Sequence, residues 1–195
     1  VPSPLPRAWF ARDALVVARA LVGCFLVHEL RGGAVRVARI VETEAYRGPK
    51  DLACHARFGL TKRTKSLLGE EGHAYVFFIY GMHDCFNVTC KGAGFGHAVL
   101  VRGGEPVAGF EAGARLDGPG RFARGMEIPR SMDGVDLTER PLYLKARERR
   151  PRLGVSARVG VAYAGIWADK PWRFFDAGSS GVSKPPKSVI GRPVV

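Results

Sequence analysis

Acidic residues, cysteines and long apolar runs are all scarce in this chain, and each shortage removes a class of protein. Only 18 Asp and Glu stand against 30 Lys and Arg in 195 residues, a formal charge of +12 with a sequence pI near 10.1. A balance of that sign disfavours basic partners and points to a polyanion. The four cysteines, Cys24, Cys54, Cys85 and Cys90, contain no C-x-x-C pair and lack the density of a secreted disulfide scaffold. They read as free thiols of a reducing compartment. His83, Cys85 and Cys90 are three loosely spaced candidates without a fourth, too few for a structural zinc site. The most apolar N-terminal stretch, residues 11–22, is interrupted by Arg12, Asp13 and Arg19. It reads as an amphipathic helix, neither a signal nor a membrane span.

What is present suffices for one sizeable core, since 46% of the residues are hydrophobic and the length fits one domain. Pro2, Pro4 and Pro6 cannot propagate a helix, so residues 1–10 read as an extended arm. From residue 179 the chain turns Ser-, Pro- and Lys-rich, which suits a flexible basic tail over 179–195 and leaves 11–178 as the domain.

Within that domain the pattern is mostly of strands. Residues 23–30 and 34–46 flank Arg31-Gly32-Gly33, a hairpin turn in which the glycines supply positive φ cheaply. In the second of these strands a side-chain period of two puts Glu42, Glu44 and Tyr46 on one face. Arg47-Gly48-Pro49 ends it, and residues 50–58 are expected to form a short helix carrying His55. Residues 74–80 and 85–90 flank GMHD as a second hairpin, with Tyr75, Phe77 and Ile79 on one face and Val76, Phe78 and Tyr80 on the other. Tyr80, Met82 and His83 make its tip unusually aromatic and apolar. Residues 97–101 read as a strand ending on Arg102 and closed by Glu105-Pro106, residues 120–126 as a helix, and 142–144 and 157–165 as strands. The expected fold is a mixed α+β single domain, with a curved, mostly antiparallel sheet, surrounding helices and a protruding hairpin.

A carboxylate beside flat rings suits chemistry on a nucleobase, which must leave the duplex stack and be held between aromatic or apolar groups. Tyr46, His55 and Phe77 are candidates for that sandwich, and Tyr80 or Met82 for a wedge filling the vacated space. Arg57, Lys62, Arg63 and Lys65, clustered beside the first motif, are candidates for phosphate contact. Each residue also has a plain reading: Glu42 and Glu44 as solvated strand residues, the aromatics as core, His55 as a satisfied core histidine, Arg102 as an ion-pair partner of Glu105, Asn87 as a surface hydrogen-bonding residue.

The motifs IVETEAYRGPKDLACH, GHAYVFFIYGMHDCFNV, VLVRGGEP, GPGRF and RVGVAYAGIWADKPWRF, in that order between residues 12 and 178, resemble the alkyladenine (3-methyladenine) DNA glycosylase family. The resemblance implies a monofunctional glycosylase that removes alkylated or deaminated purines from double-stranded DNA and leaves an abasic site, without metal or other cofactor. By that resemblance Glu44 is the base that activates water, held together with Arg102 and the backbone carbonyl of Val159. Tyr46, His55 and Phe77 enclose the flipped base, His55 and the backbone of Ala53 hydrogen-bond it, and Asn87 clashes with the exocyclic amine of guanine. Tyr80 intercalates, while Met82, His83 and Arg121 join the basic cluster on the DNA. Glu42 is a bystander in this scheme. Phe77 stands where many relatives carry Tyr, Thr64 where some have Asn, and Ile166 where Glu is common. The expectation is a monomer in the cytoplasm, associated with the chromosome and with no membrane partner. Two alternatives remain at this level, a catalytically silent DNA-binding module and an RNA-binding domain.

Overall fold

The computed structural model describes residues 3–79 and 81–183. Residues 3–6 run extended, as their prolines dictate, but they are not free: Pro4 bridges to Lys145 and the Leu5 N–H bonds the Leu144 carbonyl. A single helical turn, α1 (Arg7–Phe10), follows and buries Phe10 completely. Asp13 then caps α2 (Ala14–Leu21) by accepting from the Leu15 N–H, which is why this helix starts later than residue 11. It buries Ala14, Val17, Ala18 and Leu21.

The hairpin at Gly32 and Gly33, both at positive φ, joins β1 (Phe25–Glu29) to β2 (Val35–Arg47). The second hairpin pairs β3 (Ala74–Ile79) with β4 (His83–Cys90), matching Tyr75 with Asn87, Phe77 with Cys85 and Ile79 with His83. That register sets Tyr75, Phe77 and Ile79 on one face, as the alternation predicts; Tyr80 lies outside the described residues. Strand β5 (His97–Ala108) does not stop at Glu105-Pro106 but passes through it, with Pro106 opposite a register shift at Val37/Ala38. Proline is tolerated there because the ladder is already broken. The short β6 (Leu116–Asp117) leads to α3 (Pro119–Gly125), whose Phe122 packs so close to Gly104 that a β-carbon there would lie 2.7 Å from the ring.

Strands β7 (Leu142–Lys145), β8 (Leu153–Ser156) and β9 (Arg173–Asp176) complete a nine-stranded sheet whose pairings are all antiparallel. Its main path runs β3-β4-β5-β2-β1-β7, while β9 pairs with β2 and β8 with β9. Along one edge, β2 pairs with β1 up to Arg39 and with β9 from Glu42 to Glu44. The change of partner coincides with register shifts between Ile40 and Thr43, so the strand bends there and the sheet curls. The core is filled by Phe10, Leu21, Ile40, Phe86, Phe122 and Phe174, all fully buried and in one cluster.

Two further sequence expectations fail locally. Residues 50–58 form a helix only as the 3-10 turn His55–Phe58. Residues 157–165 are not a strand: Gly160 and Gly165 adopt positive φ and Ala162–Trp167 is a 3-10 segment, so the apolar alternation there belongs to a loop. Residues 179–183, the start of the segment read as a tail, are tied to the sheet. Ser179 Oγ bonds Glu105, and Ser183 donates to Glu42 from its N–H (2.6 Å) and its hydroxyl (3.0 Å). Residues 184–195 lie outside the described residues.

Candidate active site

A cavity of about 660 Å³ opens between Tyr46 near the end of β2, the face of the β3–β4 hairpin, the start of α3, the 51–58 loop and the 159–163 loop. Its walls are aromatic. Tyr46 lines one side, and behind its ring, away from the cavity, the Arg158 guanidinium lies 4.7 Å from the ring centroid. Arg158 is locked by Asp51 at 2.6 and 2.9 Å, both side chains wholly buried, and by the carbonyls of Ala45 and Trp167. The same Asp51 accepts from the N–H groups of Arg47 and Ala53. One ion pair therefore fixes both a ring wall and the loop that carries Ala53 and His55. With its N–H spent on Asp51, Ala53 has its carbonyl left, 3.4 Å from the Tyr163 hydroxyl.

The facing wall is built by His55 and Phe77, edge to face with centroids 4.6 Å apart. Tyr75 shares the hairpin face with Phe77 and places its hydroxyl 2.9 Å from His55 Nδ1. Burial, helped by the charges of Arg63 and Arg57, lowers the His55 pKa to about 4, and burial raises that of Tyr75 to about 12. At neutral pH the pair is thus imidazole and phenol. A phenol donating to Nδ1 leaves the Nε2–H as a donor. Next to them Asn87 is pinned across the hairpin, its amide nitrogen donating to the carbonyls of Tyr75 and Cys85. Cys54 and Cys85 also line the cavity, and burial pushes both thiols up to about 11, so they stay protonated.

Glu44 is fully buried beneath this slot, and the groups that hold it line the cavity. The Val159 N–H donates to Oε1 at 2.7 Å, the Tyr46 hydroxyl to Oε2 at 2.9 Å, and Arg102 Nε stands 3.5 Å from Oε1. Both oxygens act as acceptors. The Val159 contact comes from its N–H, an interaction that the resemblance did not specify.

Glu42 is not a solvated strand residue. It is as buried as Glu44 and accepts from Arg102 Nε at 3.0 Å, Arg173 Nε at 2.7 Å and Ser183. Arg102 therefore pairs with Glu42 and Glu44, while Glu105 pairs with Arg39.

The basic candidates distribute unevenly. Arg121 lines the cavity and pairs with Asp117 at 3.1 Å; Arg63 lies over the Phe77 ring at 5.3 Å; Arg57 stacks on Phe58 and Tyr163. Lys62 and Lys65 are exposed beside them. At the hairpin tip Met82 is 70% exposed, and His83 packs on Gly120, where a β-carbon would lie 2.8 Å from the imidazole. Sequence reasoning missed Tyr75, Asp51 and Arg158. Tyr75 was within reach of the alternation argument, since it shares a face with Phe77.

Among the described residues no group of three or more His, Cys, Asp or Glu side chains is placed to hold a metal ion, and no helix is long and apolar enough to cross a membrane.

Residues 8–180 match the family described as methylpurine-DNA glycosylase (MPG). A protein of Myxococcus xanthus is 50% identical over 184 residues, 93% of this chain and 94% of its own length. One from an Anaeromyxobacter species is 48% identical over 193 residues, covering 96% of this chain and 98% of its own, and one from Methanocella arvoryzae is 42% identical over 192 residues, covering 92% and 96%. Each bears a name that assigns it, provisionally, to the 3-methyladenine DNA glycosylases. With nearly the whole chain covered and an aromatic cavity set over a buried carboxylate, the chain belongs to the methylpurine-DNA glycosylase family, hydrolases of N-glycosyl bonds.

Proposed function

We propose that the chain is a monofunctional DNA glycosylase that takes an alkylated or deaminated purine out of duplex DNA into the aromatic cavity and hydrolyses its N-glycosidic bond. The observation that carries this reading is the buried Glu44 carboxylate, held by Tyr46, Val159 and Arg102, three residues that line the cavity together with His55 and Phe77.

In the reaction the bond from C1′ to the purine nitrogen lengthens and positive charge builds on the sugar. A buried carboxylate stabilises that charge and takes the proton of the attacking water, whose oxygen bonds to C1′ as the base departs. Arg102 and the Val159 backbone orient the water. An alkylated purine already carries a positive charge and leaves with the bonding electrons unaided, whereas a neutral base such as hypoxanthine takes up a proton as it leaves. The Nε2–H of His55 and the Ala53 carbonyl read the edge of the base, and Asn87 excludes the exocyclic amine of guanine. No lysine nucleophile enters, so the strand is left uncut at an abasic site.

On the duplex, Tyr80, Met82 and His83 fill the space that the base vacates. Arg57, Lys62, Arg63, Lys65 and Arg121 contact phosphates on either side of it. The protein acts as a monomer on chromosomal DNA in the cytoplasm. A base-release assay on duplexes carrying single lesions, with Glu44→Gln beside the wild type, tests the reading. Loss of release with retained lesion binding supports it; release at the wild-type rate removes Glu44 as the base, and a preference for single-stranded RNA over duplex DNA removes the repair reading altogether.

A further inference from the structure

We infer that Glu42 and residues 179–183 form a positioning device for Arg102, so that the segment following β9 takes part in the chemical step without touching the substrate. The inference rests on the reading of Glu44 as the base and of Arg102 as its partner. Arg102 offers its Nε–H to Glu42 Oε1 at 3.0 Å and its Nη2 to Ser183 Oγ at 3.3 Å, two donors on the same edge of the guanidinium. Ser183 Oγ in turn donates to Glu42 Oε1 at 3.0 Å, and the Ser183 N–H donates to Oε2 at 2.6 Å. Every donor in this ring has an acceptor, and the side-on edge of Arg102 is held at two points. The guanidinium plane is fixed while the side chain still lines the cavity and keeps Nε 3.5 Å from Glu44.

The backbone is shaped to admit the segment. A β-carbon on Gly103 would lie 2.6 Å from the Gly181 carbonyl oxygen, and one on Gly181 would lie 2.7 Å from the Gly104 carbonyl oxygen. Gly103 on β5 and Gly181 of the segment thus permit a main-chain approach that side chains would block. Removing a donor from Glu42 leaves Arg102 shared differently between the two carboxylates and shifts it relative to Glu44. A displacement of about 1 Å in such a group slows chemistry by about 100-fold without a matching change in binding.

Single-turnover base release and lesion-duplex affinity are to be measured in the full chain for Gly181→Val, Ser183→Pro and Ser183→Thr, with Glu44→Gln as the reference. Gly181→Val drives the segment off β5, and Ser183→Pro deletes both the N–H and the hydroxyl that donate to Glu42 while leaving every buried charge in place. Both are expected to lower the rate constant by about 10- to 100-fold with affinity within about threefold of wild type. Ser183→Thr, which keeps both donors, restores the rate. Wild-type rates in Gly181→Val and Ser183→Pro overturn the inference, and so does a parallel loss of affinity or of folding, which would make the segment a support of the fold. If Glu44→Gln itself releases base at the wild-type rate, the failure lies in the choice of base and not in the segment.

Discussion

Arg102 Nε lies 3.0 Å from Oε1 of Glu42 and 3.5 Å from Oε1 of Glu44, so one guanidinium spans two fully buried carboxylates. The two carboxylates are held differently: Glu42 accepts from Arg102, Arg173 and the Ser183 hydroxyl, whereas Glu44, the base of the proposed reaction, accepts from Tyr46 and the Val159 N–H.

Replacing Glu44 with Gln keeps the shape of the site and removes the proposed proton acceptor. Base release under single-turnover conditions should fall by about 100-fold or more, while lesion-duplex affinity changes little. A gel-shift titration alongside the release assay separates the two quantities.

Tyr75→Phe removes the hydroxyl that holds His55 Nδ1, and the imidazole loses its fixed orientation. A lost hydrogen bond of this kind is worth about 1 kcal/mol, or roughly fivefold, in binding the flipped base. Comparing affinity for an abasic-site analogue duplex with affinity for a lesion duplex shows whether the loss follows the base or the backbone.

Burial and the charges of Arg63 and Arg57 hold His55 at a pKa of about 4, and burial holds His97 near the same value. The unfolded chain, with ordinary histidine values, binds more protons between those limits. Stability contributed by the neutral rings is therefore complete above about pH 6.5 and is lost as pH falls toward 4. Melting temperatures should drop over that interval in the wild type and drop less in His55→Asn; equal drops would show that His55 is not buried as neutral imidazole.

Arg158→Met leaves Asp51 buried without its cation, which costs about 3–5 kcal/mol of stability. The double variant Asp51→Leu/Arg158→Met should recover part of that loss in urea denaturation, yet release base more slowly than wild type, because Tyr46 loses the guanidinium behind it and Ala53 loses its anchor.

Alanine at Lys62, Arg63 or Lys65 should weaken binding to lesion and undamaged duplexes alike, each lowering the slope of log affinity against log salt by about one. A variant that weakens only lesion binding would place that residue at the base instead of at a phosphate.

The hairpin that carries Tyr75 and Phe77 was legible because a strand period of two is a local property, readable from adjacent residues. Glu42 was not, because nothing near it in the chain distinguishes a solvated carboxylate from a buried one. Its partners Arg173 and Ser183 are 131 and 141 residues away. Arg158 was hidden differently: the apolar alternation around it imitates a strand, and only the positive φ of Gly160 and Gly165 shows that the segment is a loop. Family resemblance supplied Glu44, Arg102 and Val159, but not which atoms they would present to one another.

The exchange of partners along β2, from β1 to β9, bears on the order in which the molecule matures. Pairing with β1 closes a short loop and can form early, whereas the pairing of Glu44 with Arg173 and the Val159 contact must wait for the end of the chain. Nascent or partly refolded molecules would then display the cationic groups of the 57–65 region before the proposed hydrolytic centre closes. They would bind nucleic acid first and become competent to cut a glycosidic bond last.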